Sequence, residues 1–221
     1  MKKILLIEDR ERRQQIFVEN TGFDFEKYSS ILDNFTEEKY KSFKTSVIED
    51  KFDFSLYDVI ISHKSAYEDD NSIILGKLEQ YCKENKKFFI LFSGGIDTNY
   101  YNNEEFEYLE MHSETFYSEN LTLFLENIQN NEINPLILCY GKYWEINVAL
   151  NILEKLNYAI ETCETKMSYK RFLQIPKIEI LRNLGVIVDE PVLEGKNITK
   201  NELIKFMNSL KQNLTERIIN G

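Results

Sequence analysis

Short apolar runs alternate with amphipathic stretches through the first 130 residues, the arrangement that predicts a parallel sheet flanked by helices. Residues 3–7, 57–62 and 88–92 are nearly continuous apolar runs, as strands buried on both faces are. Residues 28–32 predict a weaker second strand and 108–111 a fifth. Helices are predicted over 10–20, ended by Gly22, and over 37–49, where Tyr40, Phe43 and Val47 recur at three and four residues. A third opens at Asp70 or Asn71, aligns Ile74, Leu78, Tyr81 and Cys82, and closes at Lys86-Lys87, where cations suit the helix dipole. A fourth covers 119–129. The acidic, Asn- and Tyr-rich segment 97–107 reads as a surface loop.

These elements predict a first domain at 1–131, with the boundary in the connection 130–134 before Pro135, and a second part at 132–221. In that part, 136–140 reads as a strand, and Ile146, Ala149, Leu150, Leu153 and Leu156 as a helical stripe. Further on come a strand at 159–162, a short basic helix at 169–173 and a helix-then-strand segment at 178–188. Thr199-Lys-Asn-Glu202 has the form of a capping box, opening a terminal helix with Leu203, Phe206, Met207, Leu210 and Leu214 on one face. The C-terminal part is therefore expected to be a smaller α/β or mostly helical unit.

Length and a hydrophobic content of 43% allow a sizeable core. No apolar run approaches the roughly 20 residues a bilayer-spanning helix needs, and no signal-peptide pattern opens the chain, so the expectation is a cytoplasmic protein without membrane contact. Cys82, Cys139 and Cys163 form an odd set without metal-ligand spacing and read as reduced thiols. Charge is uneven. Residues 1–132 hold 15 Lys+Arg against 27 Asp+Glu, a balance of −12, and the remainder holds 12 against 10, or +2. Such a surface repels nucleic acid, and the region with Lys170, Arg171, Lys177 and Arg182 is only faintly basic, without a convincing helix-turn-helix.

The candidate chemistry lies at the strand ends. Glu8 and Asp9 follow the first strand, His63 and Ser93 follow the third and fourth, and Met111 ends the fifth. This spacing resembles the receiver domain of response regulators over about residues 1–130. The resemblance implies a flavodoxin-like, five-stranded parallel sheet. It also implies a pocket in which an acidic pair holds Mg2+, an aspartate accepts a phosphoryl group, a hydroxyl binds it and a lysine neutralises it. Glu8 and Asp9 match the acidic pair and Ser93 the hydroxyl, but His63 stands at the acceptor position and Met111 at the lysine position. No lysine lies between Lys87 and Lys142 to replace it.

A histidine cannot form the acyl phosphate and a thioether cannot neutralise one, so the pocket is expected to be degenerate. The chain then reads as a non-catalytic regulatory protein acting on protein partners, with self-association as a homodimer a further expectation. Two alternatives stay open: an atypical phosphorylatable regulator, and a small-molecule or nucleotide binder or enzyme using the strand-end crevice. Each residue also has a purely structural reading. Glu8-Asp9 suits a helix N-terminus, His63 a hydrogen-bonded strand end, and Ser93-Gly94-Gly95 a tight strand exit. Arg10, Arg12 and Arg13 follow the acid pair closely enough that one of them could fold back onto it as a substitute cation.

Overall fold

The long apolar runs become the central strands of one sheet. The computed structural model describes residues 2–67, 71–97, 99–102, 105–162 and 199–220. In it, β1 (Ile4–Ile7), β3 (Val59–His63) and β4 (Phe88–Ser93) are all but sealed from solvent, as runs covered on both faces must be. β2 (Leu32–Phe35), β5 (Tyr100–Asn102) and β6 (Tyr108–His112) complete six strands in the order β2-β1-β3-β4-β6-β5. All pairings are parallel except β5 with β6. Because β1 lies between β2 and β3, the chain reverses its direction of travel across the sheet there, the place where open α/β sheets form a crevice at their carboxyl ends.

Helices flank the sheet. Leu5, Ile7, Ile60, Phe89 and Leu91 share one core with Phe43 and Val47 of α2 (Glu37–Ile48) and Ile74, Leu78 and Cys82 of α3 (Asn71–Asn85). The pleat sends Leu6, Ile61, Ile90, Phe92 and Met111 to the other face. There Phe92 stacks on Phe116 of α4 (Ser113–Phe116) at 4.2 Å. α1 (Glu11–Thr21) buries Phe17, and α5 (Glu119–Gln129) buries Leu121, Phe124, Leu125 and Ile128. At roughly 1.5–3 kcal/mol per large apolar side chain, these layers dominate the favourable side of folding. Gly22 ends α1 as expected, with φ 68° and its amide bonded to the Val18 carbonyl.

Four expectations need correction. The second strand runs Leu32–Phe35 rather than 28–32, since Tyr28 closes a 3-10 turn (Glu26–Tyr28) and the edge strand is too polar to show an apolar run. The expected loop at 97–107 contains β5, so the sheet has six strands and is not wholly parallel. Residues 136–140 form helix α6 (Leu136–Tyr140), packed on α5, because five consecutive apolar residues suit a buried helical turn as well as a strand. Pro135 caps that turn, and Gly141 at φ 71° ends it.

The chain divides into two compact units, Met1–Lys142 and Tyr143–Gly221, so α6 falls with the first. In the second unit α7 (Trp144–Thr162) packs on α8 (Lys200–Asn220). The fourth correction is here: residues 159–162 continue α7 instead of forming a strand. The stripe on α7 is also rotated from the expected one, with Val148, Ala149, Ile152 and Leu156 buried while Ile146 and Leu150 are 45% and 50% exposed. α8 buries Leu203, Phe206, Met207, Leu210 and Leu214, and its capping box forms, the Glu202 amide donating to Thr199 Oγ1 at 3.3 Å. The elements expected at 169–173 and 178–188, with Lys170, Arg171, Lys177, Arg182 and Cys163, lie outside the described residues. Among the described residues no helix is long and apolar enough to cross a membrane.

Candidate functional site

Three of the five singled-out residues meet at the carboxyl ends of β1 and β3. Glu8 follows β1 and is fully buried, Asp9 opens the turn into α1, and His63 is the buried last residue of β3. His63 Nδ1 lies 3.3 Å from Asp9 Oδ1 and 3.4 Å from the Ser65 hydroxyl. One ligand atom from each of Glu8, Asp9 and His63 lies within 4.8 Å of the others.

The positive charge comes from α1. Arg13, in the first turn, reaches back so that one terminal guanidinium nitrogen donates to both Glu8 Oε1 (2.5 Å) and Asp9 Oδ1 (2.9 Å). Of the three arginines considered from the sequence, Arg13 is the one that bridges the acids. Arg12 instead pairs with Glu19 on the surface, and Arg10 Nε stands 3.6 Å from Asp9. Glu8 is further held by the Arg10 amide (3.0 Å) and by the Tyr117 hydroxyl, which donates to Oε2 at 2.9 Å. Tyr117 lies just beyond α4, 109 residues from Glu8, and sequence reasoning missed it; nothing in its neighbourhood marks it as polar machinery.

The protonation states follow from this packing. Burial pushes Glu8 up to about 7, and hydrogen bonding to Asp9 adds to the rise against the Arg10 amide, Arg13 and Tyr117. Burial also acts upward on Asp9, but its hydrogen bond with Glu8 and the charges of His63 and Arg13 outweigh it and leave the carboxyl below its ordinary range. His63 is pushed down to about 4, first by burial and then by Arg13, so its ring is neutral at physiological pH. Tyr117 stays a phenol, held well above its usual value by burial. The two carboxylates titrate as a pair and share one strong counter-charge.

The other two residues are placed differently. Ser93 Oγ accepts from the Gly95 amide at 3.3 Å, as a strand exit does, and the pleat turns Ser93 away from the face that carries Phe92. Met111 is completely buried in the row His63–Phe92–Met111 that runs across β3, β4 and β6 in register. Phe92 fills the middle of this row, edge-on to His63 at 5.3 Å and to Tyr117 at 5.5 Å. Aromatic surface therefore occupies the space beside His63.

The donor set does not suit magnesium, which wants near-octahedral oxygen ligands. Here the third donor beside the two carboxylates is the ring nitrogen of His63. Comparison of the chain with protein-family models, with curated proteins and with solved structures found no match.

Proposed function

We propose that the chain is a regulatory protein built on a receiver-like, flavodoxin-like domain that has lost aspartyl phosphotransfer and works through protein contacts. One observation carries the reading: the Arg13 guanidinium bridges Glu8 and Asp9 beside His63, giving the acid pair a permanent internal cation. Phosphoryl transfer depends on positioning and on neutralising charge around the phosphoryl oxygens. At these strand ends the acceptor position offers a neutral imidazole, the position of the neutralising lysine holds buried Met111, and Phe92 stands between them. The strand order supports the fold assignment, since leaving out β5 it runs 2-1-3-4 and then the last parallel strand, an order flavodoxin-like sheets use. Between β4 and β6, where a receiver carries a crossover helix, the described residues carry β5 instead, so the surface offered to a partner on that side would be that of an edge strand.

The test is incubation with acetyl phosphate, or with beryllofluoride, in the presence of magnesium, read by intact mass and by thermal melting. The expected result is an unchanged mass and an unchanged Tm. A mass gain of one phosphoryl group, or a rise in Tm that requires both magnesium and beryllofluoride, would overturn the reading and favour an atypical phosphorylatable regulator.

A further inference from the structure

The misfit to magnesium points to a different ligand for the same crevice. We infer that Glu8, Asp9 and His63 form a site for a borderline divalent ion, Zn2+ in the first instance, with the Arg13 guanidinium as the internal cation that the metal must displace. The inference rests on the geometry of the Glu8–Asp9–His63 cluster and is independent of the loss of phosphotransfer proposed above.

Ligand chemistry supplies the first argument. Two carboxylates and one imidazole are three protein ligands of the kind zinc takes, leaving a fourth position open, whereas magnesium gains little from a ring nitrogen. At metal–ligand distances of about 2.1 Å, two donors on one tetrahedral ion lie roughly 3.4 Å apart. His63 Nδ1 and Asp9 Oδ1 are already 3.3 Å apart. The remaining ligand atom, from Glu8, lies within 4.8 Å of both, so closing the triangle takes a movement on the order of 1 Å.

Position supplies the second. The Arg13 nitrogen sits within hydrogen-bond distance of one oxygen on each carboxylate, and Asp9 Oδ1 is shared between it and the imidazole. A cation therefore already occupies the point on which the two carboxylates converge. Arg13 is about a quarter exposed, so its guanidinium has a route to solvent, while Glu8 is sealed and cannot relax away. The Ser65 hydroxyl near His63 Nδ1 can rotate to free the nitrogen lone pair. Metal and guanidinium then exclude one another at this point.

Melting and equilibrium dialysis of the full chain with ZnCl2, MnCl2 or MgCl2, without a phosphoryl donor, test this. Zinc should raise Tm by about 5 °C at saturating excess and bind one equivalent, with little response to magnesium. His63→Asn should abolish the zinc response. His63→Asp, which makes the donor set all oxygen, should exchange the preference so that magnesium becomes the stabilising ion, an outcome that a merely structural histidine would not give. Arg13→Met should tighten zinc about tenfold by removing the competitor. Zinc binding that survives His63→Asn, or that weakens in Arg13→Met, would overturn the inference, as would no binding by the unsubstituted chain. A mass gain from acetyl phosphate would instead overturn the loss of phosphotransfer and leave the zinc result standing.

Discussion

Replacing Arg13 by Met removes the guanidinium that bridges both carboxylates while keeping most of the side-chain volume. Glu8 is fully buried and Arg13 is 25% exposed, so the pair lies between two regimes. Truncating one partner of a fully buried pair costs about 3–5 kcal/mol, and an exposed pair is worth about 0–1 kcal/mol. Glu8 retains the Arg10 amide and the Tyr117 hydroxyl, and it can also take up a proton, since its pKa is already pushed up to about 7. These escapes place the expected cost at about 2–3 kcal/mol at neutral pH. Arg12→Met serves as the control, because Arg12 and Glu19 are 66% and 61% exposed and the expected loss is below about 0.5 kcal/mol. Urea unfolding of the full chain, followed by circular dichroism, gives both numbers. The Arg13 deficit should shrink at about pH 5.5, where Glu8 is protonated and no longer needs a counter-ion. Equal costs at the two positions, or a deficit that grows on acidification, would refute the electrostatic account of the site.

The same pocket gives a pH prediction. Glu8, raised in the fold from 4.5 to about 7, contributes stability that is full below about 4.5 and lost as pH rises through 7. His63, lowered from 6.5 to about 4, contributes stability that is full above about 6.5 and lost as pH falls through 4. The two slopes oppose in the native chain, so Glu8→Gln should expose the histidine slope and lose on the order of 3 kcal/mol between pH 6.5 and 4; a flat profile of urea midpoints would reject this. Phe92→Ala, which empties the space between Phe116 and His63, should cost about 3–5 kcal/mol in the same assay, and a loss under about 1 kcal/mol would show that the site collapses onto the gap. Cys82 is buried and burial pushes its thiol up to about 12, so peptide mapping after iodoacetamide at mildly alkaline pH should find it unmodified in the native protein and alkylated in urea. Rapid native labelling of Cys82 would contradict the packing of α3 on β3 and β4.

What the sequence made legible follows from where the hydrophobic signal is least ambiguous. β1, β3 and β4 are covered on both faces, so they are apolar up to their last one or two residues, and the strand-end residues Glu8, Asp9 and His63 could be located from them. Edges carry no such signal. β2 shows Leu-Asp-Asn-Phe and β5 Tyr-Tyr-Asn, sequences that a loop could equally hold. α6 failed for the opposite reason, since its five apolar residues fit a strand and a buried helical turn equally well, and only packing on α5 decides between them. Arg13 was within reach because a long side chain four and five residues beyond two acids can fold back locally. Tyr117 was not, because its bond to Glu8 depends on how α4 leaves β6, a long-range fact with no local trace.

On the proposed receiver-like reading, Arg13 also bears on the position that Met111 holds in place of a lysine. A buried acid pair at the end of a strand needs a cation to be tolerable at all, and in this chain the need is met by a residue of the very next helix. Once Arg13 supplies that charge from α1, the end of β6 is under no electrostatic demand, and an apolar Met111 can pack there against Phe92 and close the row across the sheet. A lysine introduced at Met111 would then bring an unpaired charge into a sealed layer. Met111→Lys alone should therefore destabilise the fold rather than create a phosphate pocket. His63→Asp with Arg13→Met should do more toward making one, because those two substitutions place a carboxylate at position 63 and remove the Arg13 cation. Acetyl phosphate labelling of that double variant and of Met111→Lys separates the alternatives: labelling of Met111→Lys alone would show that the closed row beside His63 is not what blocks the chemistry.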